Sequence, residues 1–332
     1  MQATCEIGKR EDFLLDLQAK IRQGKFGLRY GAPDELLLHS GGPQSDLAQR
    51  GLLMGPATRR YIVRQEPIEA TAKSGSPLHG EIDIRAKPSP LQIHVEDWDD
   101  VWSCSEIITG VDLADGLRQL SDTLLPSRGE GFQSGGLAGL LTYDMVQHTE
   151  PLRLQHLPQA DSILMVLYRA DRWVIHNRIE SKIEVHSSIP EDQWVVEIEE
   201  LLGQGIPIRK PPKSPRAREP QTESDTEHAD KVRRTQAAIR AGVLYQLNYG
   251  RIWSGEIDSP WSVFERLERD NPAPLSAWLH SPDLQLAIAS SSPELLLKQN
   301  GKTISTRPIK GTRPRGEDSE HDANLRGELV GS

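Results

Sequence analysis

The stretch "PLSAWLHSPDLQLAIASSSPELLLKQNGKTISTRPI", residues 274–309, holds four short apolar runs separated by Ser-Pro-Asp, Ser-Ser-Ser-Pro and Asn-Gly. Runs of this length, bounded by turn residues, predict four β-strands. Asn300-Gly301 between the last two predicts a hairpin with a type I′ turn. The segment "SILMVLYRADRWVIHNRIESKIEVHSS", residues 162–188, reads the same way: three strands in a meander, which favours an antiparallel sheet.

Working outward, "DELLLHSG" (34–41), "RRYIVRQ" (59–65) and "LQIHVE" (91–96) read as further strands. "VLYQLNYGRIWSG" (243–255) alternates like a strand too, with Leu244, Gln246 and Asn248 on one face. Helices are expected near Phe13–Ile21, over 111–126 with Pro126 as the stop, over 191–205 with a glycine stop, and over 228–242 ending at Gly242. Another is expected to open at Ser259 and Pro260. Residues 206–228 are rich in proline, serine and charge and read as a linker. The expected fold class is α+β, with antiparallel β-sheets and helices packed outside. The expected division is a domain over 1–205, a linker or exposed loop over 206–227, and the first part of a second domain over 228–332.

Composition excludes several functions. Net charge is −9, which argues against neutralising a nucleic-acid backbone. No apolar run approaches the roughly 20 residues of a membrane span, and the N-terminus lacks a secretory h-region. Two cysteines, Cys5 and Cys104, are too few for a disulfide framework or a four-ligand zinc site. A reducing, cytoplasmic setting fits. The glycines at 135, 136 and 139 are not followed by Lys-Ser/Thr, so close backbone packing explains them better than a phosphate loop.

The chemistry concentrates in "STRPIKGTRPRG", Ser305 to Gly316. Glu294 lies one hairpin upstream of Lys310, so a carboxylate and an amine are expected at one level. Flanked by Ile309 and Gly311, the lysine is expected to be desolvated and drawn toward nucleophilic neutrality. Gly311 admits close approach of a ligand to the backbone, and Thr312 adds a hydroxyl. Arg307, Arg313 and Arg315 suit an anionic small molecule. The same residues also fit a surface lysine at a turn, with Glu294 as its ion-pair partner.

Several motifs in order carry a resemblance. "YQLN" (245–248), "NPAPLSAWL" (271–279), "SSPE" (291–294), "TRPIKGTRPRG" (306–316) and, upstream, "FQSGGLAGLLTYD" (132–144) resemble the chorismate-utilising enzymes, which include anthranilate synthase component I and aminodeoxychorismate synthase component I. "LLLHSGG" (36–42) is a weaker match. The resemblance implies the chorismate-binding enzyme fold, incomplete at the C-terminus, because the family continues beyond Ser332 into its metal-binding glutamates. It implies Mg²⁺ for a complete enzyme, with ligands absent from this chain, and ammonia supplied by a glutamine amidotransferase partner. Lysine at 310, where anthranilate synthases carry alanine, resembles the aminodeoxychorismate branch of the p-aminobenzoate and folate route. That branch implies attack of the Lys310 amine on C2 of chorismate, with Glu294 as the acid that protonates the departing C4 hydroxyl. Gly311 and Thr312 are implied as substrate contacts. Ser40 and Pro274, Leu275 and Ser276 match the family's tryptophan-binding segments, although His39 stands where anthranilate synthase has an acid. By resemblance the chain is expected to be inactive alone. The alternatives are an anthranilate synthase component I and a non-catalytic module that binds tryptophan or a partner.

Overall fold

The computed structural model describes residues 2–7, 10–24, 26, 28–66, 90–124, 136–150, 162–210, 218, 220–309, 311 and 313–331. Its first sheet has seven strands: β1 (Gln2–Glu6), β2 (Glu35–His39), β3 (Arg50–Met54), β9 (Arg172–Asn177), β10 (Lys182–Ser187), β11 (Ser276–Ser281) and β12 (Leu286–Ser290). They lie in the order β1-β10-β9-β3-β2-β11-β12. The second sheet has five: β4 (Arg59–Gln65), β5 (Leu91–Asp99), β6 (Val101–Val111), β7 (Gly136–Leu141) and β8 (Ile163–Ala170), ordered β6-β5-β4-β8-β7. Every pairing in both sheets is antiparallel.

The period-two rule sorts the side chains of β2 to opposite faces. Leu37 joins a core formed with α1 (Phe13–Gly24), α3 (Gln193–Gly203) and α5 (Pro260–Asp270), to which Phe13, Leu17, Trp194, Ile198, Phe264 and the β11 residue Trp278 contribute. Its neighbour Leu36 packs the other way, with Leu279 of β11 and Val166 and Tyr168 of β8, where the two sheets meet. The far face of the five-stranded sheet is closed by α2 (Leu113–Leu124) through Leu120. The helix comes close at Gly116, where a Cβ would lie 3.1 Å from Ile93 Cδ1. Leu117, the next residue, is exposed. The order of layers is helices, sheet, sheet, helix.

The two sheets are tied by Arg60 of β4, which is 1% exposed. Its guanidinium donates to Asp283 (2.8 Å), Ser281 (3.0 Å) and Glu96 (2.7 Å), approaches Asp34 at 3.4 Å, and lies 4.3 Å from the Trp102 ring. Burial opposes the charge, but the hydrogen bonds to Asp283 and Glu96 outweigh it and hold the arginine protonated. Asp34 also accepts from Tyr168 Oη (2.7 Å) and Trp102 Nε1 (2.9 Å).

Two of the chemistry-bearing segments stand outside these layers. β13 (Leu295–Asn300) and β14 (Thr303–Arg307) form a separate two-stranded hairpin. Gly301 takes φ +57°, while Lys302 does not share a positive φ, which fits a type II′ turn in place of the expected I′. Helix α4 (Asp225–Arg240) begins three residues earlier than expected because Ser224 and Glu227 form a reciprocal capping box. Helix α6 (Ser319–Gly331) closes the chain.

Three expectations are corrected. The stretch 162–188 is no meander: β8 belongs to the five-stranded sheet, and after Asp171 the chain changes sheet and only β9 and β10 pair. The stretch 243–255 is not a strand; it forms one isolated bridge, Ser254 to Gln221. Alternation alone does not make a strand without a neighbour to accept its backbone bonds. Tyr245 is therefore 96% exposed. The segment is held from one side by Glu223, which accepts from Tyr249 Oη (2.6 Å) and Lys231 (2.5 Å). Finally, the glycines are expected to pack closely ahead of a buried strand: a Cβ at Gly139 would lie 1.9 Å from the Val166 carbonyl oxygen, but Gly139 lies inside β7, which is only half-buried, and Gly135 lies outside the described residues.

Burial of His176 on β9 lowers its pKa from 6.5 to about 4, with His39 and Arg178 acting in the same direction. The folded chain thus holds it neutral, while the unfolded chain takes up a proton below pH 6.5. Its contribution is complete above pH 6.5 and is lost as pH falls toward 4. Urea midpoints measured from pH 4 to 7.5 should show a decline in that window that is smaller in His176→Gln. Equal declines would refute the assignment.

Candidate functional site

The hairpin carries the first group of predicted residues. Leu295 pairs with Arg307, so position 294 and the chain after 307 leave the same end of the ladder. Glu294 is exposed. Its backbone N–H reaches Ser292 Oγ at 3.4 Å. Lys310 and Thr312 lie outside the described residues. Their described neighbours give little burial: Ile309 is 50% exposed and Gly311 is exposed, with φ +69°. The flanking residues therefore do not supply the desolvation expected around a nucleophilic amine. The cationic neighbourhood is also balanced. Arg307 pairs with Asp46, Arg313 approaches Glu328 at 3.5 Å, and Arg315 holds Asp322 with two bonds of 2.6 and 2.9 Å.

The second group comes together in a cavity of about 260 Å³ on the face of the seven-stranded sheet opposite the helices. Its floor is one register row: Ala277 of β11 opposite Leu38 of β2, Leu38 opposite Leu52 of β3, and Leu52 opposite Ile175 of β9. Ser40, Pro274, Leu275 and Ser276 form its rim. Ser40 lies 234 positions before the nearest of the other three, and they are brought together by the pairing of β2 with β11 and by the Gly41 N–H to Ala273 O bond of 2.9 Å.

The rim is fixed by groups that the sequence did not reveal. Buried Arg178 donates to the carbonyls of Ser40 (2.6 Å), Ala48 (3.2 Å) and Gly42 (2.9 Å), clamping the loop between β2 and β3. Ser40 Oγ donates to Arg50 O at 2.5 Å, and Ser276 Oγ to Ala273 O at 3.1 Å. His39 points to α5, where its Nδ1 meets Glu268 Oε2 at 2.7 Å with both side chains buried. A carboxylate thus stands beside position 39 even though the residue itself is histidine. The cavity connects to the hairpin, because Leu275 N–H donates to Ser292 O (3.1 Å), two residues before Glu294. No short-range sequence signal marks Leu52, Ile175 or Arg178, which reach the site from distant strands.

Among the described residues no three His, Cys, Asp or Glu side chains gather closely enough to hold a metal ion. The magnesium ligands are expected outside this chain, so no chemistry is assigned to a metal here. Among them, too, no helix is long and apolar enough to cross a membrane.

The fold resembles that of anthranilate synthase component I from Streptococcus pneumoniae TIGR4, with a TM-score of 0.56 and 16% identity over 88% of this chain and 59% of that one. The two chains therefore share their architecture. Residues 90–332 match the family described as chorismate binding enzyme, and the chain belongs to it. Aminodeoxychorismate synthase component 1 from Bacillus subtilis (strain 168) is 28% identical over 211 residues, covering 59% of this chain and 43% of that protein. Anthranilate synthase component 1 from Haloarcula marismortui is 42% identical over 103 residues, 31% of this chain and 21% of that protein. The chain spans less than half the length of these curated relatives.

Proposed function

We propose that the chain carries the nucleophile and the acid of an aminodeoxychorismate synthase component I. In this reading the Lys310 amine adds to C2 of chorismate as the C4 hydroxyl leaves, taking a proton from Glu294 to depart as water. Ammonia then bonds to C4 and the lysine–C2 bond breaks, returning the amine and giving 4-amino-4-deoxychorismate. The ammonia comes from a glutamine amidotransferase partner. The observation that carries the reading is lysine at position 310 within "TRPIKGTRP". The hairpin register supports it, because position 294 and the chain after Arg307 leave the ladder together. Glu294 is open to water here, so a covered site is needed for the acid to work. The 332-residue chain alone is accordingly expected not to turn chorismate over. The test is product analysis of this chain joined to the C-terminal half of a relative, supplied with chorismate, Mg²⁺ and ammonia. Aminodeoxychorismate is expected; anthranilate as the main product would assign the other branch.

The cavity beside Ser40 supports a second element of the reading, an amino-acid site for tryptophan. Its apolar floor and hydroxyl-bearing rim suit an indole with a polar head. Titration calorimetry should show tryptophan binding to the chain, weakened at least about tenfold in Ala277→Phe, whose ring would occupy the floor. Equal affinity in the variant would exclude this cavity.

A further inference from the structure

A second cavity lies on the opposite face of the same strands. It measures about 330 Å³ and is enclosed by α1, the loop before β2, the end of β3 and α3. Leu53 and Val174, which are register neighbours, form its floor, with Ile21 and Trp194 beside them. Its walls are held in place. Ala32 N–H donates to Ala57 O (2.8 Å), and Gly55 N–H donates to Arg172 O (2.8 Å). Arg172 is itself locked by Asp192 at 2.6 Å and by Tyr30 O at 2.8 Å. A Cβ at Gly55 would lie 2.8 Å from Trp194 Cζ2, so loop and helix already touch.

One polar group in this lining is prepared for a ligand. Glu35, at the start of β2, is 15% exposed at its side chain. Arg22 and Trp278 Nε1 (2.7 Å) both donate to its Oε2, and His280 Nδ1 stands 3.7 Å from the same atom. Two donors thus fix one oxygen, with the His280 ring close by, and among the described residues Oε1 has no hydrogen-bond partner. A carboxylate oxygen held still in a largely apolar cavity accepts an N–H donor with little cost in ordering. Arg22 pairs with Glu35, and the Asp34 carboxylate is taken up by Arg60, Ser281, Tyr168 and Trp102, so Glu35 Oε1 is the acceptor that the cavity offers an N–H donor.

We propose that this cavity is a binding site for a small aromatic amine, with its ring on Leu53, Val174 and Trp194 and its N–H on Glu35 Oε1. Apolar cavities of about 150 Å³ take benzene, so a single ring fits this one with room for a head group. The site is independent of the chorismate chemistry and of the cavity beside Ser40, which opens on the other face of β2.

Tryptophan indole N–H signals report on it directly, because the chain has only seven tryptophans. Trp194 lines the cavity and Trp278 Nε1 bonds Glu35, whereas Trp98 and Trp253 lie outside it. Titrating the 332-residue chain with benzylamine at millimolar concentrations should move the Trp194 and Trp278 indole signals and leave those of Trp98 and Trp253 in place. Toluene should bind more weakly and benzoate weakest. Glu35→Gln, which keeps an oxygen for Trp278, should weaken benzylamine about tenfold or more and leave toluene unchanged. Unmoved Trp194 and Trp278 indole signals, benzoate binding as tightly as benzylamine, or unaltered benzylamine affinity in Glu35→Gln would each overturn the proposal. Should the variant not fold, the order of the three probes on the unaltered chain decides alone.

Discussion

Replacing Arg60 by methionine is expected to lower the unfolding free energy by about 3–5 kcal/mol, as removal of one partner from a buried ionic network does. Methionine fills much of the volume beside Trp102, so the loss reports the charge more than the space. Without the guanidinium, Asp34 and Glu96 lose the charge that faces them, and Asp283 loses the hydrogen bonds that hold its carboxyl below the usual range against the effect of burial. The sheets lose their polar tie at the same time, since Arg60 lies on one and Ser281 on the other. Arg60→Lys should recover only part of the loss, because an ammonium cannot fork to two carboxylates. Urea unfolding at pH 7 measures both. A change below about 1 kcal/mol for Arg60→Met would mean that the network contributes no more than an exposed ion pair.

Glu294→Gln is expected to lower turnover of the joined, complete enzyme by about 10²–10⁴-fold, the usual worth of a positioned general acid. Glutamine keeps the shape and loses the proton. Chorismate affinity should change little, and a slow product should remain the same compound. Steady-state kinetics with chorismate and ammonia decide this. Turnover within about threefold of the unaltered enzyme would remove Glu294 from the reaction. A rise in KM with unchanged kcat would make it a binding residue.

The strands that could be read from sequence are those with a compact apolar or alternating run, such as Glu35–His39, Arg59–Gln65 and Leu91–Asp99. β3 escaped because Arg-Gly-Leu-Leu-Met is five residues with a glycine inside. β6 escaped because it lies at the edge of its sheet, with serines and a cysteine mostly exposed. The opposite error, at 243–255, has the same root: a pattern states which residues share a face but not whether a partner strand exists. The rim of the Ser40 cavity was legible only through motifs. Its floor was not, since Leu38, Leu52, Ile175 and Ala277 become neighbours only once four strands are in register. Glu35 was hidden likewise, because its importance lies in two donors that reach it from α1 and β11.

The pairing of β2 with β11 has a consequence in time. Trp278 Nε1 bonds to Glu35 across a sequence separation of 243 residues. At roughly 5–20 residues per second on the ribosome, on the order of 10–50 seconds pass between the emergence of the two strands. During that interval β2 presents an unsatisfied edge, and Leu37 lacks the indole that later covers it. The first half of the nascent chain therefore waits for the second, and a holdase that shields that edge should raise the yield of native protein more than one acting after release.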